Sequence, residues 1–413
     1  VAAAASRRLG RGAGEVVGGK VTLRIDPGAL RSLATGRAVA TVSGTNGKTT
    51  TTRLLAAALG TAGPVVTNGG GANMPPGVVS ALASGPAGAV GVLEVDELHL
   101  PSVALAVRPR VAALLNLSRD QLDRANETRR IAGLWRETGA GLTGTEAVAN
   151  ADDPLVVWAA GGFSSVTWVG AGQVWTADAM VCPRCAKLLR RETRDGADGA
   201  TAAVHWWCPS CGLERPEPAV EVAVGVAPGS HALRVDGVEL PVSLRLPGRC
   251  NLANAAVALA CARSLGVPPG VAIAAMETVQ AVAGRYATVR LGGRDARLLL
   301  AKNPAGWVEM IELLEEAPAR PVVIAFHART ADGRDPSWIY DVPAERLAGR
   351  PVLVAGDRAA DLATRLAYAG VETSVFSSAA SAAAACPGDG TVDVLATYTA
   401  FRELLVETGL VAG

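Results

Sequence analysis

The sequence predicts an α/β chain built on parallel sheet, with a P-loop in its leading half and a second, smaller α/β block behind it. Three observations carry that reading. Compact Val/Leu/Ala runs at 38–44, 63–68, 89–97 and 110–118 read as strands buried on both faces, because none of them alternates with period two. Helix-like segments lie between them, such as 48–59, which Gly60 ends. From residue 288 the same texture returns, with strand runs at 320–326, 350–356, 371–376 and 391–397.

The 413 residues exceed one typical domain, and 49% of them are hydrophobic, enough for sizeable cores. The expected limits are an N-terminal segment over 1–35, a central domain over 36–287 with an insert at 176–217, and a C-terminal α/β domain over 288–413. Beyond the insert, 219–226 and 242–248 read as strands and 251–265 as a helix. A net charge of +1 argues against nucleic acid or a membrane surface as a partner. No apolar run is long enough for a transmembrane segment. The opening "VAAAASRRLGRGAG" lacks a continuous apolar stretch of signal-peptide length and reads as frayed or partner-binding. Seven unevenly placed cysteines fit a thiol-reducing, cytoplasmic compartment better than a disulfide framework.

The first strand run leads into Gly44, Thr45, Asn46, Gly47, Lys48, Thr49 and Thr50, and then into a helix. Glycines let backbone N–H groups turn around phosphate oxygens, and a helix N-terminus adds partial positive charge. Lys48 would reach the β- and γ-phosphates of ATP, and the Thr49 hydroxyl would ligate Mg²⁺. The position of the usual first glycine is Val42, so the loop is a short variant. The bland alternative is a Gly-rich turn before a helix. Glu94, Asn116, Asp120 and Asp123 follow neighbouring strands. Ligands of open α/β sheets lie beyond the carboxyl ends of strands, so these groups are placed to converge on Thr49 and a metal.

"CPRC" (182–185) and "CPSC" (208–211) form two C-x-x-C knuckles with 22 residues between them. Four thiolates so spaced suit a tetrahedral structural Zn²⁺ held by Cys182, Cys185, Cys208 and Cys211. Two disulfides or free thiols are the alternatives. A closed four-cysteine site leaves no open position for catalysis, so its work is to fold a small ribbon, outside the cradle. Cys250, Cys261 and Cys386 read as small buried hydrophobes.

"SGTNGKTTT" resembles the ATP loop of the Mur ligase superfamily. "NLSRDQLDR" (116–124), "NADDP" (150–154), "GRCNLANAAVALA" (248–260) and "GR" (284–285) are similar to further family motifs in the same order. Gln121 stands where ordinary members carry His, and "LLLAKNPAG" (298–306) lacks their Asp motif. Both departures, with "ANM" (72–74), "ADGRDPSWIYD" (331–341) and the four cysteines, resemble the MurT branch. The resemblance implies a Mur-ligase-like central domain with a zinc-ribbon insert and a Rossmann-like C-terminal domain. It implies that Lys48 and Thr49 hold ATP and Mg²⁺, that Glu94 is a metal ligand, that Asn254 contacts adenine and that Arg285 contacts the phosphates.

It further implies amidation of the D-Glu α-carboxylate of the lipid II stem peptide through an acyl phosphate, at the cytoplasmic face of the membrane. The four histidines, His99, His205, His231 and His327, form no recognisable nucleophile motif with a cysteine. Ammonia should therefore come from a separate glutaminase, GatD in the family. There Asp335 is credited with completing the triad of that partner. Asp332 and Asp341 are neighbours that could be confused with it, and Asp335 could also be a turn-forming residue. The other readings are a stand-alone amino-acid-adding ligase of the Mur or folylpolyglutamate type, and a nucleotide-gated binding module.

Overall fold

The computed structural model describes residues 15–68, 71–119, 128–194, 203–224, 231–280 and 286–411. Asp120, Gln121, Asp123, Gly284 and Arg285 lie outside these residues. The described chain divides into two compact units. One holds 15–118, 128–246 and 250–280; the other holds 119, 247–249 and 286–411.

The first unit is built on β1 (Val39–Ser43), β2 (Val65–Thr67), β3 (Val90–Glu94), β4 (Val111–Leu114), β5 (Glu146–Asn150) and β6 (Ser165–Gly170). A separate ribbon pairs β7 (Arg190–Arg194) with β8 (Ala203–Trp207), antiparallel. The chain then returns to the main sheet with β9 (Val220–Val224), β10 (His231–Val235) and β11 (Val238–Pro241). The main sheet has the order β11-β10-β9-β6-β5-β4-β1-β3-β2. Every pair from β9 to β2 is parallel, and only the β9-β10-β11 edge is antiparallel. All five residues of β1 and all four of β4 are buried, which is why these runs are apolar without alternation. From β1 the chain moves out to β2 and β3, then crosses to β4 on the other flank. The carboxyl end of β1 therefore lies at a topological switch point.

The helices Pro75–Ser84, Leu100–Val107, Thr128–Ala140 and Pro154–Ala160 supply Val78, Leu82, Val103, Trp135 and Val156 to the sheet's main core. Residues 1–14, the stretch read as frayed or partner-binding, lie outside the described residues; the chain is described from residue 15. Residues 15–34 form the helices Glu15–Ile25 and Ala29–Ala34, with Gly19 N donating to Ser80 Oγ at 2.8 Å and Leu30 buried beside Val78. A side chain on Gly19 would meet Pro76 O at 1.7 Å, so this helix crossing requires glycine.

The second unit carries β12 (Tyr286–Leu291), β13 (Arg294–Leu300), β14 (Val322–Ala325), β15 (Val352–Ala355), β16 (Thr373–Val375) and β17 (Val392–Ala396). Their order is β12-β13-β17-β14-β15-β16, with β12 antiparallel and the rest parallel. Val322 and Ile324 enter one core with Trp307 and Trp338; Val323 and Ala325 enter the other with Phe401 and Leu404. Both faces are covered, as an apolar run without polar alternation requires.

One expected strand is absent. Residues 242–248 carry no strand; the hairpin β10/β11 pairs instead, turning at Asp236–Gly237. Pro241 just before the expected run and Pro247 within it remove ladder donors, while Asp-Gly is a strong hairpin signal. The hairpin β12/β13, turning at Gly292–Gly293, carries the same lesson.

Candidate functional site

The cradle grows from the carboxyl end of β1. Gly44 and Gly47 have φ of 148° and 87°, and Lys48 opens the helix Lys48–Gly60. A Cβ on Gly44 would stand 2.7 Å from Leu115 Cβ, and one on Gly47 would stand 2.3 Å from Asn254 Oδ1. Gly44 demands glycine twice over, by backbone conformation and by space, and Gly47 by its backbone conformation. The segment after β4 latches the loop. Thr45 N donates to Asn116 O (2.9 Å), Asn46 N to Asn116 Oδ1 (2.9 Å) and Ser118 N to Thr45 Oγ1 (3.0 Å). The loop is thus pre-shaped, and it ends at the N-terminus of the helix Lys48–Gly60, a place that favours anions.

Lys48 is buried. Its ammonium donates to the carbonyls of Gly44 and Thr45 and to Glu97 Oε2 at 2.9 Å. The Lys48 and Glu97 side chains are only 5% and 12% exposed, so this ion pair sits largely out of water. Glu97 is held in turn, since its backbone oxygen accepts from Trp135 Nε1 at 2.9 Å. Sequence reasoning missed Glu97 as a partner. Its signal was its place three residues after Glu94, in the same acidic stretch.

Glu94 ends β3, buried, beside β1 in the register Val42↔Glu94. Asn68 brackets its backbone, accepting from Glu94 N at 2.8 Å and donating to Glu94 O at 2.7 Å, while Asn73 Nδ2 reaches Glu94 Oε1 at 3.2 Å. Thr49 is half-buried in the first helical turn, and Thr50 is buried. A carboxylate and a hydroxyl are hard oxygen donors of the kind Mg²⁺ takes. Asn254, on the helix Arg249–Ser264, lies against Gly47, and its Oδ1 accepts from Thr51 Oγ1 at 3.2 Å.

The four cysteines come together. Their sulfurs all lie within 4.8 Å of one another, with Cys182–Cys211 at 3.6 Å and Cys185–Cys208 at 3.4 Å, and none is in a disulfide. Four Zn–S bonds of about 2.3 Å in a tetrahedron put sulfurs about 3.8 Å apart, so the set fits a metal. The knuckles are built alike. Ala186 N donates to Cys182 O with Ala186 at φ 61°, and Gly212 N donates to Cys208 O with Gly212 at φ 69°.

In the second unit, the loop after β14 carries Asp335. Its carboxylate is exposed, and Oδ1 accepts from Ser337 N at 2.9 Å, which holds the carboxyl below its usual range. The base beneath it is buried. Trp338 and Ile339 enter the core, where Trp307, Phe326 and Trp338 meet edge to face, while Tyr340 is exposed. Asp332 is also buried, accepting from Arg329 N at 3.1 Å and Thr399 N at 2.7 Å. Asp341 closes the turn Ser337–Asp341. Both nitrogens of His327 are engaged: Nδ1 accepts from Asp357 N at 3.0 Å, and Nε2 lies 3.1 Å from Glu403 Oε2. That imidazole ties the end of β15 to the helix Tyr398–Glu407.

The class is that of the Mur ligases: the Mur ligase middle domain model matches residues 42–175, which hold the Gly-Lys-Thr loop at the sheet switch point and the buried Glu94. The fold agrees. A pseudomurein peptide ligase type C from Methanothermus fervidus has a TM-score of 0.69 at 20% identity, over 90% of this chain and 79% of that one. MurF ligase from Thermotoga maritima, solved in complex with ADP, has 0.65 at 18%, over 93% and 83%. The MurT ligase C-terminal model matches residues 300–401. The lipid II isoglutaminyl synthase (glutamine-hydrolyzing) subunit MurT of Streptococcus pneumoniae is 30% identical over 98% of this chain and 94% of that protein; its counterpart in Staphylococcus aureus strain N315 is 31% identical over 90% and 86%. The chain belongs to the MurT family of Mur ligases.

Proposed function

We propose that this chain is the ATP-binding subunit of a lipid II isoglutaminyl synthase, amidating the D-Glu α-carboxylate of the stem peptide in peptidoglycan synthesis. The observation that carries the reading is the latched loop with Lys48 buried between its carbonyls and Glu97. A substrate carboxylate oxygen attacks the γ-phosphorus of ATP, the bond to ADP breaks, and an acyl phosphate forms. Ammonia attacks its carbonyl carbon, the bond to phosphate breaks, and loss of a proton leaves the amide. Phosphate is a far better leaving group than oxide, which is why the carboxylate is phosphorylated first.

The loop amides at 44–50 receive phosphate, and Lys48 supplies a point charge where negative charge shifts in phosphoryl transfer. An ammonium has three donors, and the described acceptors take all three. Glu97 is an acceptor outside the loop, and a phosphate oxygen would displace it. Thr49 and Glu94 would hold Mg²⁺, which would supply neutralisation of phosphoryl charge there. Asn254 would turn toward adenine by giving up Thr51. Arg285, by family likeness, contacts the phosphates. We assign structural zinc to the four cysteines on the geometry of their sulfurs.

We assign the ammonia source to a separate GatD-type glutaminase, with Asp335 completing its triad. The support is an exposed carboxylate on a buried aromatic base, shaped to be offered outward. Lipid II would be met at the cytoplasmic membrane face. Among the described residues no helix is long and apolar enough to cross a membrane. The test is amidation by the two-chain complex with ATP, supplied with glutamine or with ammonium, read by the OH-to-NH₂ mass change of lipid II. Amidation that required a free amino acid instead of ammonia would restore the stand-alone ligase reading.

A further inference from the structure

Two side chains of the ribbon grip the turn between β5 and the helix Pro154–Ala160. Trp206 Nε1 donates to Ala151 O at 3.1 Å, buried, and Arg215 Nε donates to Asp152 Oδ1 at 2.8 Å, with both side chains 10% exposed. Both residues flank the second knuckle, and Arg215 N donates to Trp206 O, so folding Cys208–Cys211 fixes the pair. The other oxygen of Asp152 accepts from Gly172 N at 2.6 Å and Gln173 N at 3.1 Å. Val157, on the helix that follows, packs directly against Cys182, Trp206 and Cys208.

The turn continues to the cradle. Asp153, buried, caps that helix with Oδ1, accepting from Leu155 N (2.9 Å) and Val156 N (3.4 Å). Its Oδ2 accepts from Leu117 N at 2.8 Å. Leu117 stands between Asn116 and Ser118, the residues that latch Thr45 and Asn46. Each step is a buried or part-buried hydrogen bond, so displacing one leaves polar groups unpaired in low dielectric.

We propose that the four-cysteine ribbon sets the nucleotide affinity of the ATP loop, gripping the turn 150–153 through Trp206 and Arg215, with Asp152 and Asp153 as positioning residues that hold the 116–118 latch. The inference rests on the reading of 44–50 as an ATP site. It replaces the expectation that the ribbon, lying outside the cradle, acts on folding alone.

The test is binding of a fluorescent ATP analogue, with zinc content, by the full chain in complex with its glutaminase. The variants are Arg215→Met, which keeps volume, Trp206→Phe, which keeps an aromatic ring of smaller size and deletes the donor, and Arg215→Lys as rescue. Nucleotide affinity should weaken roughly tenfold, the scale of about 1.4 kcal/mol, in the first two. Zinc should stay at one per chain and turnover at saturating ATP near wild type, and Arg215→Lys should recover part of the loss. Amide exchange at Thr45 and Asn46 should quicken. A merely structural defect would lower the active fraction without moving affinity. If Arg215→Met loses zinc, Trp206→Phe decides alone. Unchanged affinity in a zinc-loaded Trp206→Phe chain overturns the inference, whereas a wild-type chain that binds no ATP overturns the ATP reading and the inference with it.

Discussion

Two loops follow central strands of two parallel sheets, and they treat charge in opposite ways. After β1, the charged group is buried and paired within the chain: Lys48 lies among two carbonyls and Glu97. After β14, the carboxylate of Asp335 is exposed and held by the backbone amide and side chain of neighbouring Ser337, while the aromatic and carboxylate groups beneath it are buried. A buried charge needs a partner in the same chain, because its desolvation is too costly to leave unanswered. An exposed charge on a rigid base can wait for a partner from another chain. The contrast separates a loop whose charge is answered within the chain from one that leaves its charge in water.

The largest effect expected is at Lys48. Lys48→Ala should lower amidation on the order of a thousandfold whether glutamine or ammonium supplies nitrogen, because phosphoryl transfer serves both. Substantial turnover in the variant would remove the first loop from the chemistry. Asp335→Asn should split the two donors. Glutamine-driven amidation should fall on the order of a hundredfold or more, as loss of a triad carboxylate does, while ammonium-driven amidation stays near wild type. Equal loss of both would erase the contrast between the loops.

Smaller effects sharpen it. Asp332→Ala removes a buried acceptor of two backbone amides, and should cost about 2 kcal/mol, read as lowered thermal stability. Glutamine-driven rates should then fall more than ammonium-driven ones, if the base is what presents Asp335. The next smallest is a pH effect at Asp153. Burial, with Asp178 nearby, pushes its carboxyl from 3.8 up to about 6, against the pull of its three amide donors. A raised carboxyl favours the fold most fully below the unfolded value of 3.8, and that contribution is lost as pH rises through about 6. Asp153→Asn should remove this slope from denaturant titrations taken between those limits, and an unaltered slope would reassign it. Smallest of all, Glu97→Gln should free Lys48 from a charged competitor and tighten ATP binding about threefold, within the range of a partly buried ion pair. Weaker binding would mean that Glu97 aims the ammonium instead of restraining it.

The sequence by itself determined the elements and the chemistry that local pattern encodes. Strands buried on both faces are mostly apolar, so β1, β4, β14, β15 and β17 were legible as runs, even though β17 buries Asp393 against Arg297. The Gly-Lys-Thr loop was legible because its backbone requirements fall on adjacent residues, and the cysteine knuckles because metal ligation fixes short spacings. The hairpins β10/β11 and β12/β13 were missed, although Asp236–Gly237 and Gly292–Gly293 marked their turns. Tertiary structure alone decided which distant groups meet. Glu97 faces Lys48 from 49 positions away. Asn116 latches the loop from 70 positions away. Arg215 reaches Asp152 across 63 positions. The registry of β1 between β3 and β4 brings the first two together, and the docking of the ribbon brings the third. No local pattern encodes such pairs, because a hydrogen bond between distant residues depends on the packing that closes the chain between them.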